Sequence, residues 1–122
     1  MKLTIPMRTY SESNRREHWA VKARRVKEQR GLVAMCYRGC ITSTTRQIIF
    51  FHVHKPAKLT ITLTRLGKKL MDDDNLARSF KAIRDELSQQ LGVDDGDKRL
   101  RWRYKQRLTK SNYAVEIEIE PK

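Results

Sequence analysis

With 27 Lys and Arg against 14 Asp and Glu in 122 residues, the chain carries a net charge of +13, the balance of a protein that meets a polyanion. Its length fits one domain, residues 1–122, with a modest core, and its 39% hydrophobic content is enough to fold one. No run approaches the roughly 20 apolar residues of a membrane span, and the opening MKLTIPMRTYSESN lacks the apolar stretch of a secretory signal. The expectation is a cytoplasmic protein whose partner is nucleic acid rather than membrane.

In chain order, Lys2 to Ile5 reads as a short strand closed by Pro6. Ser11 to Asn14 supplies capping residues, so a helix is expected from near Asn14. Trp19, Ala23, Val26, Val33 and Tyr37 form its apolar stripe, interrupted by Arg30, with basic residues around the rest. Gly31 is a possible stop, but the periodicity resumes beyond it and predicts continuation to about Tyr37, at a cost of about 1 kcal/mol. Cys36 and Cys40 are the only cysteines. With no second pair to complete a zinc site, they read as reduced packing thiols.

Residues 38 to 47 read as a Ser- and Thr-rich loop, and 48 to 54 as a strand. His52 and His54 share one face of that strand, but no third metal ligand lies nearby in sequence. Leu59, Ile61 and Leu63 alternate with Thr60, Thr62 and Thr64, the pattern of a half-buried strand. Near the C-terminus Leu100, Trp102 and Tyr104 alternate with Arg101, Arg103 and Lys105, and Val115, Ile117 and Ile119 with Glu116, Glu118 and Glu120. These two segments are expected to pair as a hairpin. Its outer arginines would then face glutamates as cross-strand ion pairs, leaving an excess of bases for phosphate attraction.

Between the strands lies LMDDDNLARSFKAIRDELSQQLGVDDGD, residues 70 to 97, which concentrates acids in a basic chain. Leu76, Phe80, Ile83, Leu87 and Leu91 fall on one helical face, and Asp74, Arg78, Lys81 and Asp85 on the other. Gly92 is a good C-cap, so one helix is expected from Asn75 to Leu91. Asp72 to Asp74 also suit a helix N-terminus with no catalytic role, and the pairs Asp74/Arg78 and Lys81/Asp85 suit plain surface ion pairs. The second acidic group, Asp94, Asp95 and Asp97, tips the balance, because clustered carboxylates persist ionised most readily around a divalent cation.

The same stretch resembles the RusA-like Holliday junction resolvases of bacteria and their phages. Asp72, Asp74, Asn75 and Leu76 match a D-x-D-N-L signature, Lys81, Asp85 and Leu87 match K-x-x-x-D-x-L, and Gly92, Asp94 and Asp95 match a glycine followed by paired aspartates. The resemblance implies Asp72, Asp74 and Asp95 as Mg²⁺-binding catalytic residues with a lysine as helper. In the compact form of the motif that lysine stands where this chain has Arg78. Lys81 keeps the downstream spacing, so both are candidates. Arg15, Arg16, Lys68, Lys69 and Arg78 are the expected nucleic-acid contacts.

The resemblance further implies a homodimer that resolves four-way (Holliday) junctions by paired symmetric nicks, in DNA recombination and repair. The alternatives are a metal-dependent nuclease on other branched or flap DNA and a non-catalytic basic DNA-binding protein. The expected fold is α+β and RusA-like: a mixed, mainly antiparallel sheet from segments near 2 to 5, 48 to 54, 58 to 65, 99 to 108 and 113 to 119, packed against two helices. A straight helix from Asn75 to Leu91 is about 25 Å long. It would hold the two acidic clusters apart, which favours sites completed across the dimer axis, with a shorter or bent helix as the competing arrangement.

Overall fold

The computed structural model describes residues 2–10, 19–40 and 58–121. Their elements are β1 (Lys2–Ile5), α1 (Trp19–Cys40), β2 (Leu59–Gly67), α2 (Asp73–Ser79), α3 (Lys81–Leu91), β3 (Leu100–Leu108) and β4 (Ala114–Pro121). The expected strand at 48 to 54 with His52 and His54, the capping residues Ser11 to Asn14, and Arg15 and Arg16 lie outside the described residues.

Among the described residues four strands form a mixed sheet in the order β1-β4-β2-β3, so the α+β expectation holds. β4 runs antiparallel to both β1 and β2, while β2 and β3 are parallel. The expected β3–β4 hairpin does not form, because β2 lies between the two strands. Alternation reveals which face of a strand is buried but not which strand is its neighbour. β2 carries the most buried inner face and takes a partner on each flank. The link from β3 to β4 passes the end of β2, where the Thr109 amide donates to the Gly67 carbonyl at 2.9 Å.

Period-two patterning gives the sheet an inner face of Leu3, Ile5, Leu59, Ile61, Leu63, Val115, Ile117 and Ile119, all buried. Leu76, Phe80, Ile83, Leu87 and Leu91 close on it from the helical layer. Full burial of each such side chain contributes on the order of 1.5–3 kcal/mol.

Helix α1 runs through Gly31 as expected and ends at Cys40, three residues beyond the expected Tyr37. It packs along α3 and against β1. Val33 and Tyr37 are buried, whereas Trp19 is 76% exposed and Ala23 is also outside the core, so the expected stripe holds only in its C-terminal half. Arg30, which interrupts that stripe, reaches α3: its Nε donates to Glu86 Oε1 at 3.0 Å and its Nη2 to Gln89 Oε1 at 2.7 Å.

The single helix expected from Asn75 to Leu91 is two helices, broken at Phe80 with φ −95° and ψ 2°. The Phe80 amide turns to the Ala77 carbonyl at 3.2 Å, a tighter i to i−3 bond, and Ser79 Oγ donates to the Leu76 carbonyl at 2.7 Å. Fully buried Phe80 stacks on Tyr104 of β3, with ring centres 5.8 Å apart. Leu76 on α2 and Ile83, Leu87 and Leu91 on α3 join one core cluster with the strands. Among the described residues there are thus three helices, not two, and none is long and apolar enough to cross a membrane.

Candidate acidic site and nucleic-acid interface

The inner side of β3 works as a rail on which both acidic clusters are mounted. At one end Gln106 grips Met71 by both backbone groups: the Met71 amide donates to Gln106 Oε1 at 2.8 Å, and Gln106 Nε2 donates to the Met71 carbonyl at 2.7 Å. Asp72 follows directly as the N-cap of α2. Its side chain makes no capping hydrogen bond, so its carboxylate is not absorbed by the role that a helix start offers it. Asp73 and Asp74 occupy the first turn, and all three are exposed.

At the other end Trp102 Nε1 donates to the Asp95 carbonyl at 2.9 Å. Gly92, at φ 76°, ends α3 in the left-handed conformation, with its own amide on the Gln89 carbonyl and the Val93 amide on the Ser88 carbonyl, both at 3.1 Å. The following turns carry the chain back to Arg84, which stands seven residues before Leu91, about 10 Å along the helix. Trp102 and Gln106 are four residues apart on β3, so the two anchor points are separated by about 13 Å. The bend at Phe80 and this return bring together what a straight helix would hold about 25 Å apart.

Arg84, which sequence reading missed, is the cation at the centre of this arrangement. Its Nη1 donates to Tyr104 Oη at 2.6 Å and its Nη2 to the Asp95 carbonyl at 3.2 Å. Its guanidinium lies 5.0 Å from the centre of the Trp102 ring, and Nε sits 3.3 Å from Asp95 Oδ2 without the alignment of a hydrogen bond. The available signal was the position of Arg84 beside the apolar stripe of α3, next to Phe80, Ile83 and Leu87. Asp97 belongs to Arg99, bonded to its backbone amide at 2.9 Å and to Nη2 at 2.8 Å, and that hydrogen bonding raises the Arg99 pKa above its ordinary value. Asp94 is exposed.

The two helper candidates share a different place. Arg78 and Lys81 line a cleft of about 330 Å³ between the α2–α3 junction and Lys22, Val26 and Gln29 of α1. Lys81 Nζ pairs with Asp85 Oδ2 at 3.2 Å, the i,i+4 surface pair anticipated for it. Lys68 and Lys69 are exposed in the turn between β2 and α2. Lys68 Nζ and Arg8 lie 5.9 and 4.5 Å from the Tyr113 ring centre, and the Lys69 carbonyl accepts from Arg65 Nη1 at 2.7 Å. Arg65 is buried at the end of β2, and that burial lowers its pKa from the usual guanidinium value.

Asp72 and Asp74 offer hard carboxylate oxygens of the kind Mg²⁺ takes, one or two from protein with the rest from water and phosphate. Among the described residues no three His, Cys, Asp or Glu side chains converge as a ready-made metal cage. Asp95 lies at the Trp102 end of β3, paired with Arg84.

No family model matches the chain, and no solved structure matches it. A protein of Xylella fastidiosa (strain Temecula1 / ATCC 700964), described as an uncharacterized protein, is 32% identical to it over 94 residues, which cover 76% of this chain and 59% of that relative. The chain thus matches less than two thirds of the relative's length.

Proposed function

We propose that the protein is a RusA-like, Mg²⁺-dependent endodeoxyribonuclease that resolves four-way DNA junctions by paired nicks, acting as a homodimer. The observation that supports this reading best is the mounting of both acidic clusters on the inner side of one strand, through Gln106 to Met71 and through Trp102 and Arg84 to Asp95. A phosphate drawn to this edge meets exposed carboxylates at the start of α2 and a guanidinium already held in place. Asp72 and Asp74 would hold the cation, which when bound supplies Lewis acidity toward the scissile phosphate and a more acidic water. Asp95, now paired with Arg84, would orient a water or join Asp72 and Asp74 in holding the ion if a bound phosphate competed for that guanidinium. The resemblance implies Lys81 or Arg78 as the cation that stabilises the charge building on the phosphate, a role either would fill from the cleft beside α1 only if the substrate reaches across the α2–α3 junction.

The test is incubation of wild type, Asp74→Asn and Asp95→Asn with fixed junction, flap, duplex and single-stranded DNA, with and without Mg²⁺. The expected result is Mg²⁺-dependent symmetric nicking of the junction by wild type, reduced about a hundredfold or more in either variant, with binding kept or improved because each removes a negative charge near the phosphate. Nicking of flaps in preference to junctions would move the substrate to other branched DNA. Tight junction binding with no Mg²⁺-dependent cutting would replace the enzyme with a non-catalytic DNA-binding protein.

A further inference from the structure

The side of the sheet that faces away from the helices is graded in charge. Register places Thr60 beside Arg101, Thr62 beside Arg103 and Thr64 beside Lys105, with Arg107 next in line. On the other flank of β2 the same threonines stand beside Glu120, Glu118 and Glu116. Had β3 and β4 formed a hairpin, each arginine would have faced a glutamate as its direct neighbour. With β2 between them, the cation row and the carboxylate row are two strand spacings apart, about 9.6 Å. Only the end of the row crosses that gap, where Arg107 Nη2 meets Glu116 Oε1 at 2.7 Å; Lys2 approaches the same glutamate from β1 at 3.9 Å. Among the described residues no carboxylate lies within ion-pair distance of Arg101, Arg103 or Lys105, and all three are exposed.

We infer that this outer row of β3 is a second nucleic-acid surface, separate from the acidic site, which binds the phosphodiester backbone of a DNA duplex through Arg101, Arg103 and Lys105 with the β2 threonines beside them. Spacing and chemistry both fit. Alternate strand residues recur about every 6.6 Å, on the scale at which phosphates repeat along the winding backbone of a duplex strand, so a row of cations on β3 can follow one phosphodiester backbone. Thr60 and Thr64 are half-buried and offer hydroxyl donors next to the cations, as backbone-positioning contacts commonly do. The inference concerns binding alone and stands apart from whether the protein cuts.

The test is binding of a labelled 30-base-pair duplex in EDTA, across a series of salt concentrations, by wild type and by Arg101→Gln/Arg103→Gln/Lys105→Gln. A charge-matched control carries Arg24→Gln/Lys27→Gln/Arg38→Gln, three exposed cations on α1. Removal of three phosphate contacts should lower the slope of log K against log salt by about 2.7, while the α1 triple lowers it by less than about 1. Should the β3 triple fail to fold, as judged by its urea transition, Arg103→Gln alone should lower the slope by about 0.9. Glu118→Gln, on the same face, should tighten binding. Equal losses from the two triples would overturn the inference, since the positive charge would then act diffusely. It is equally overturned if the β3 variants keep the duplex slope but change the sedimentation of the protein, because the face would then join copies of the chain.

Discussion

Arg84 ties four groups from two parts of the chain to one guanidinium: Tyr104 and Trp102 of β3, and the carbonyl and carboxylate of Asp95. A planar fork with several donors suits this geometry, and a lysine ammonium on a flexible stem does not. Arg84→Ala should therefore destabilise the fold by about 1.5–3 kcal/mol, the range for hydrogen bonds to charged groups, and Arg84→Lys should recover little of it. Urea unfolding measures the loss. Hydrogen exchange adds the specific readout, with amides near Asp95 expected to lose protection while those of β2 and β4 keep theirs in proportion to global stability. Uniform loss everywhere would reduce Arg84 to an ordinary stabilising contact. Arg84 escaped sequence reading because helical periodicity assigns charged residues to the solvent side, and a charged residue bordering the apolar stripe is ambiguous until the facing strand is known.

Among the elements, the return after α3 depends on Gly92. Its φ of 76° is strained for a side chain, while the space a Cβ would occupy is open, so Gly92→Ala isolates the backbone cost. About 1–2 kcal/mol is expected, read as a lowered urea midpoint with an unchanged slope. A neutral effect would mean that the turn has room to relax. This cap was legible in the sequence, as were β1, β2, β3 and β4, because period-two alternation and a glycine after the last apolar residue are local signals. The bend at Phe80 was not. The apolar spacing of Leu76, Phe80, Ile83, Leu87 and Leu91 passes through it unaltered, and the break coincides with a long-range contact, the stacking of Phe80 on Tyr104, that no local pattern shows. The order of the strands escaped for a related reason. β3 and β4 are adjacent in sequence and both alternate, yet each needs the apolar inner face of β2 as a neighbour. The acidic residues at 72 to 74 and 94 to 97 were legible by type, whereas their mounting on β3 depends on Trp102 and Gln106, whose hydrogen bonds no periodicity reveals.

For the whole molecule, the question is whether an active site is built by one chain or shared between two. A straight helix would demand sharing, because its ends lie too far apart for one ion. The bend and the return replace about 25 Å with anchor points about 13 Å apart on a single strand, and aspartate side chains together with a bridging phosphate span much of the remainder. On the proposed reading each subunit would then carry both halves of its own site, and the two sites would act as a pair only by presenting themselves to the two strands of one junction. Asp74→Asn and Asp95→Asn protomers, mixed and allowed to exchange, discriminate between the arrangements. Self-contained sites predict that every species in the mixture fails to cut, since each chain lacks one of its own acids. Shared sites predict that the mixed dimer regains one intact site and nicks one strand of the junction. A further mixture of wild type with the double variant Asp74→Asn/Asp95→Asn reverses the expectation. Self-contained sites give mixed dimers with one working subunit, seen as single nicks without full resolution, whereas shared sites leave every mixed dimer dead, so nicks in the first mixture with no single nicks in this one would return the site to the dimer interface.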